Sequence, residues 1–333
     1  MKILVRLPNW LGDIIMSTSF LNALKKAYPE SEIDVIIKKE LSDLLNYCND
    51  IDFIYKFSKK EHPGVKGLYA FGKSINKRKK YDLFFSLPDS FSSVLLGYFT
   101  GSKIRIGYKN EFRNLLLTNS YTKGKGLHRT DEYLELLTKF SGKKITAPAV
   151  SLHKELTSVV LPEGANLIFN INSEAQSRRM PVELAIELIN GIKKKLKVNI
   201  LLTGSGKDIP YVEELLINLT DKNSIFSYAG KTSLAQLIQL VSQADYTIST
   251  DSGVAHLSNA FSVKTIVLFG AGNELNTSPY NKTFLKIIRK EGLDCAPCLS
   301  NTCKFGAPKC LTMMESAVIL SALEELQLEK TKS

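Results

Sequence analysis

The chain lacks several features that would each decide its class. No apolar run approaches the roughly 18 residues that a membrane-spanning helix needs. The N-terminal stretch Met1-Lys2-Ile3-Leu4-Val5-Arg6 turns polar too soon for a secretory signal peptide, so a cytoplasmic protein is expected. No G-x-G-x-x-G follows the first predicted strand, and no G-x-x-x-x-G-K-[ST] occurs anywhere. A nicotinamide dehydrogenase and a P-loop nucleotidase are therefore disfavoured. Thr203-Gly204-Ser205-Gly206 is a Gly-rich turn but too short to be either motif. Negative charge is scarce in the first half: residues 1–150 hold 25 Lys/Arg against 15 Asp/Glu, net +10, whereas residues 151–333 hold 19 against 18. That imbalance suits an anionic partner such as a phosphorylated lipid or a membrane surface. An ordinary lysine-rich surface is the competing reading. No nucleic-acid motif accompanies the charge, so no nucleic-acid partner is expected.

Cysteine is sparse outside the tail. Cys48 stands alone and is expected in the core. Cys295, Cys298, Cys303 and Cys310 follow a C-x-x-C, x4, C, x6, C spacing that zinc could use. The spacing is tight and a cytosolic disulfide is disfavoured. Reduced thiols packed in a loop are the preferred reading, with no metal site expected.

What is present is a long alternation of strands and helices. With 333 residues, two domains are the natural division, 1–155 and 156–333, joined by a linker within residues 142–164. In the first, strands are predicted over 2–6, 33–37, 51–55, 83–87 and 104–106, with helices over 13–28, 90–99 and 128–140. In the second, strands are predicted over 167–171, 198–202, 225–228, 246–248, 265–269 and 284–288. Helices are expected over 181–195, 212–219, 233–244 and 313–326. The alternation predicts an α/β fold of two parallel sheets flanked by helices, with a ligand between the domains.

The motif that organises the second half is Ser249-Thr250-Asp251-Ser252-Gly253-Val254-Ala255-His256, read as strand, turn and helix. Ligands of open α/β sheets sit beyond the carboxyl ends of strands. Ser252 and Gly253 can offer backbone N–H groups at a helix N-terminus, where a phosphate is favoured, and His256 lies one turn in. A plain cap and tight turn would use the same residue types.

These stretches, taken together, resemble bacterial heptosyltransferases, glycosyltransferase family 9. The opening Leu7-Pro8-Asn9-Trp10-Leu11-Gly12-Asp13, the stretch Leu87-Pro88-Asp89-Ser90-Phe91-Ser92-Ser93 and Arg105-Ile106-Gly107-Tyr108 resemble the family's acceptor domain. Gly230-Lys231-Thr232-Ser233-Leu234, Asp251 to His256 and the Cys-rich tail resemble its donor domain. The resemblance implies a GT-B architecture: two Rossmann-like domains facing across a cleft, acceptor on the first and nucleotide sugar on the second. It also implies a final helix, about 313–326, that packs back on the first domain. The implied reaction is inverting transfer of heptose from ADP-heptose to the lipopolysaccharide inner core, on a phosphorylated heptosyl-Kdo-lipid A glycolipid. The implied place is the cytoplasm, peripheral at the inner face of the inner membrane. Another nucleotide sugar or glycan acceptor, or a non-catalytic nucleotide-binding protein, stays open.

Such a reaction needs a base for the acceptor hydroxyl and positive charge for the departing diphosphate. Asp13 is the candidate base, though it can equally be read as a helix cap. Arg178 is the candidate diphosphate clamp. It falls where the family commonly has lysine, Gly-x-Ala-Lys-Arg-Trp-Pro being Ala175-Gln176-Ser177-Arg178-Arg179-Met180-Pro181 here. Thr203, Gly204, Ser205, Lys231, Thr232, Ser233, Asp251, Ser252, Gly253 and His256 are the candidate donor contacts, with Asp251 turned away from the diphosphate and Ser233 also a good cap. Asn9, Trp10, Asp89 and Ser90 are the candidate acceptor contacts. Where the family has Asn-Ser-x-Lys-Ser, this chain has Ser92 in place of the lysine.

Overall fold

The computed structural model describes residues 1–154 and 159–328. They form two compact units, Met1–His153 and one starting at Lys154. In the first unit the order is β1 (Lys2–Arg6), α1 (Leu11–Ala27), β2 (Glu32–Lys38), β3 (Phe53–Phe57), α2 (Gly64–Arg78), β4 (Leu83–Ser86), α3 (Phe91–Phe99), β5 (Ile104–Tyr108), β6 (Asn119–Tyr121) and α4 (Arg129–Ser141). Its sheet runs β3-β2-β1-β4-β5-β6, every pairing parallel. The strands are apolar and buried on both faces, as parallel sheets covered by helices require. Phe20 of α1 and Phe140 of α4 both meet Phe85 edge-on, at 5.4 Å.

The second unit repeats the plan with β7 (Ala165–Asn170), α5 (Val182–Lys195), β8 (Val198–Leu202), α6 (Ile209–Asn218), β9 (Ile225–Ser227), α7 (Leu234–Ser242), β10 (Tyr246–Thr250), α8 (Gly253–Ala260), β11 (Lys264–Phe269), the short α9 (Glu274–Thr277), β12 (Leu285–Arg289), the short α10 (Lys309–Thr312) and α11 (Ser316–Leu328). Its sheet runs β12-β11-β10-β7-β8-β9, again parallel throughout. In both sheets the first strand is central and the order reverses beside it, between β1 and β4 and between β7 and β10. Those reversals are where open α/β folds bind ligands.

Not every element matches the sequence expectation. Helix α2 is absent from it because glycine weakens helix interiors. Here the glycine is needed: a Cβ on Gly72 would lie 2.5 Å from Phe99 Cβ, where α2 packs on α3. Strand β6 is three residues long, below what alternation reveals. Within the second unit the final helix packs on α5: Leu320 lies against Gly191, and Lys195 pairs with Glu324 at 2.8 Å.

Candidate functional site

The carboxyl end of β1 is held by a buried arginine. Arg6 is 4% exposed and donates to the Leu7 carbonyl at 2.7 Å, the Ile36 carbonyl at 3.2 Å and Asn9 Oδ1 at 2.5 Å. Burial lowers its pKa to about 10, still leaving it charged at neutral pH. The Asn9 oxygen is thus used inside the loop, where it shapes the turn. Trp10 takes the N-cap position of α1 with extended backbone and makes no side-chain cap bond. Asp13 is the third residue of the helix, so the plain N-cap reading does not describe it.

Asp13 heads a chain of alternating charges. Arg129 Nε lies 3.7 Å from Asp13 Oδ1, and Arg129 Nη1 lies 2.7 Å from Glu132 Oε2. Lys123 Nζ joins Glu132 at 3.3 Å to Asp89 at 2.5 Å, and Arg113 closes the chain on Asp89 at 3.3 Å. Burial disfavours the Arg129 charge, yet Tyr133, Glu132 and Asp13 more than offset it and hold its pKa above the usual value. Tyr133 is pushed the same way, by burial first and then by Asp13. The chain joins the loops after β1 and β4, so Asp13 and Asp89 occupy the two sides of the first switch point. Ser90 is exposed beside Asp89, its hydroxyl 2.7 Å from that of Ser93. Arg113, Lys123, Arg129 and Glu132 escaped the sequence reading. Only the Arg129–Glu132 spacing, i to i+3 on one helix, hints at a pair.

At the second switch point, Asn170 donates to Ser249 at 3.1 Å and to Ser252 at 3.0 Å, tying β7 to the turn after β10. Ser252 is the N-cap of α8 without a side-chain cap bond, and Gly253 is its first residue. His256 is buried on the next turn. Asp251 is 5% exposed and pairs with Arg178 at 3.1 Å. A Cβ on residue 272 would come within 2.2 Å of Asp251 Oδ2, so only glycine fits there. Arg178 sits in a short 3-10 turn over Gln176–Arg178, which Ser177 anchors to the Cys-rich tail by donating its backbone N–H to the Asn301 carbonyl at 3.0 Å. Met180, in the place of the family tryptophan, is fully buried.

The remaining donor candidates divide. Thr203 is buried beneath the β8 turn, and the Gly230 N–H donates to the Gly204 carbonyl at 2.9 Å, bringing the two Gly turns together. Lys231 is exposed and Thr232 half-buried. Ser205 and Ser233 serve as caps: Ser205 bonds Asp208 at 2.7 Å, and Ser233 accepts from the Gln236 N–H at 3.2 Å in a capping box. Arg179, which the sequence allowed to be surface charge, pairs with Asp208 at 3.0 Å. In the tail, Cys310 is buried and Cys298 exposed. Among the described residues no three His, Cys, Asp or Glu side chains are grouped to hold a metal.

The sequence model of glycosyltransferase family 9 (heptosyltransferase) matches residues 68–308. Lipopolysaccharide heptosyltransferase 2 of Escherichia coli is 26% identical over 314 residues, covering 84% of this chain and 85% of that one. Lipooligosaccharide heptosyltransferase 2 of Haemophilus ducreyi is 28% identical over 308 residues, covering 85% and 87%. Among solved structures, E. coli ADP-heptose lps heptosyltransferase II superposes with TM-score 0.83 at 23% identity, over 99% of this chain and 100% of that one. The family 9 glycosyl transferase of Veillonella parvula does so with TM-score 0.86 at 22% identity, over 98% and 97%. The two parallel six-stranded sheets are those of the GT-B fold, and the chain belongs to glycosyltransferase family 9.

Proposed function

We propose that this glycosyltransferase moves heptose from ADP-heptose to the inner core of lipopolysaccharide, with inversion at the anomeric carbon. Asp13 accepts the proton of the acceptor hydroxyl as its oxygen bonds to the anomeric carbon. The bond from that carbon to the diphosphate breaks, and ADP leaves with the electron pair. Arg178, the Ser252 and Gly253 N–H groups and His256 meet the charge that grows on the diphosphate. Asp251 orients Arg178 from behind, away from the anion. Thr203, Gly204, Lys231 and Thr232 hold the nucleoside, while the caps Ser205 and Ser233 shape their loops. Asn9, Trp10, Asp89 and Ser90 form the acceptor side. Lys123 and Arg129 supply the positive charge that Ser92 does not.

The observation that carries the reading is the equipment of both switch points: a carboxylate among basic side chains at the first, an arginine and a helix N-terminus at the second. No metal is assigned a role. The protein works at the inner face of the cytoplasmic membrane, held peripherally by its basic half, and takes no nucleic acid. The departure from lysine at Arg178 also supports a second reading, a family 9 transferase for another nucleotide sugar or glycan. Calorimetric titration of ADP, UDP, GDP and dTDP, followed by transfer assays with ADP-heptose and a core acceptor, decides between them. ADP should bind tightest. Equal or tighter binding of UDP would sink the heptose assignment, and nucleotide binding without transfer to any acceptor would leave a binding protein.

A further inference from the structure

The edge of the first unit that carries Asp13 also inverts the usual order of burial. In the 3-10 turn Glu111–Leu115, Arg113 is 1% exposed while Phe112 is 74% and Leu115 83% exposed. Charged groups are seldom the buried ones and large apolar groups seldom the solvated ones. Trp10 follows β1 and is 61% exposed, and Phe91 follows β4 and is 50% exposed. The four side chains stand on the segments that follow β1, β4 and β5, which are neighbours in the sheet. Each lies within three residues of a member of the charge chain: Trp10 of Asp13, Phe91 of Asp89, Phe112 and Leu115 of Arg113. Lys109 and Lys125 stand exposed in the same stretch, while Arg113, Lys123 and Arg129 are taken up by Asp89, Glu132 and Asp13. Apolar tips on separate segments, interleaved with cations, match a surface that is apolar within and anionic at its face.

We propose that this edge seats the enzyme in an anionic bilayer, with Trp10, Phe91, Phe112 and Leu115 entering the acyl boundary and the exposed Lys109 and Lys125 meeting headgroup phosphates. The proposal rests on the acceptor being a membrane glycolipid. Seating this edge brings Asp13 to the plane where the sugars of that glycolipid emerge, so the lipid need not leave the membrane.

Trp10 is the only tryptophan of the chain and reports on the edge directly. The test uses the full-length protein with vesicles of phosphatidylglycerol and phosphatidylcholine, or of phosphatidylcholine alone, including lipids brominated along their acyl chains. On the anionic vesicles Trp10 emission should shift to the blue and be quenched by the bromines. The double variant Phe112→Ser/Leu115→Ser should bind these vesicles at least roughly tenfold more weakly, the equivalent of losing one buried apolar side chain. Its thermal melt and ADP affinity should match the wild type. Trp10 emission that neither shifts nor is quenched, or a double variant that binds like the wild type, overturns the proposal. Transfer from ADP-heptose to a water-soluble core oligosaccharide reads the reaction separately. Its absence would strike the proposed reaction, while a silent Trp10 with normal transfer would strike the seating alone.

Discussion

Arg178 Nη1 stands 3.1 Å from Asp251 Oδ2, so the guanidinium proposed for the donor diphosphate and the carboxylate of the organising motif form one ion pair. Asp251 is nearly buried, while Arg178 keeps about a quarter of its side chain exposed. Arg178→Ala should lower stability by about 1–3 kcal/mol, because a carboxylate stays behind without its cation. ADP affinity and kcat should both fall, the latter roughly 100- to 1,000-fold. Calorimetry beside transfer kinetics checks this. Unchanged ADP affinity would reduce the pair to a structural one.

Asp13→Asn keeps the size of the side chain and removes its ability to take a proton. Turnover should drop roughly 100- to 10,000-fold, with ADP affinity unchanged, since the donor candidates lie in the other unit. Melting should shift little, because Trp10 holds the cap of α1 and the lost charge near a helix N-terminus is worth about 0.3–1 kcal/mol. A variant that transfers sugar at the wild-type rate would end the base assignment.

Arg129→Ala removes the cation 3.7 Å from Asp13. A carboxylate without its neighbouring cation protonates at higher pH. The acid limb of the kcat/KM profile should therefore move upward, and Arg129→Lys should return it most of the way. A profile that falls in height without moving along the pH axis would show that Arg129 serves the packing of α4 instead.

Glu135 gives a pH signature in stability. It accepts from Tyr108 at 2.9 Å, from the Gly124 N–H at 3.0 Å and from Lys139 at 2.8 Å. Burial alone would raise its pKa, but these three bonds outweigh burial and hold it below the usual 4.5. A depressed carboxylate stabilises the fold above its unfolded pKa, and the benefit fades as pH falls through the folded value. Glu135→Gln should cost about 1 kcal/mol at pH 7. The difference from wild type should shrink below pH 4.5 in melts taken across the acid range.

Much of the fold was legible because its strands are apolar on both faces and its helices amphipathic; β1 and β8 fall on the predicted boundaries. Helix α2 was hidden by Gly72, whose missing side chain is a fact about Phe99, far off in sequence. The same holds at the site. Asp13, Asp89, Arg178 and Asp251 stand in local motifs that a reader can find. Lys123 and Arg113 do not, since they reach Asp89 only after the 3-10 turn and β6 fold back along β5. Motifs show which residues carry chemistry, and pairings across strands show which residues restrain them.

Neither sheet borrows a strand from the other: β1 to β6 make the first and β7 to β12 the second. During synthesis, every strand of the first sheet has left the ribosome before Ala165 appears. The central strand β1 pairs with β2 early but waits for β4, with Ile3 opposite Leu83. Domains generally fold as units in the order they emerge. A nascent chain stopped short of Leu83 would leave one edge of β1 open to aggregation, whereas one with all of β1 to β6 released would already hold β1 paired on both sides.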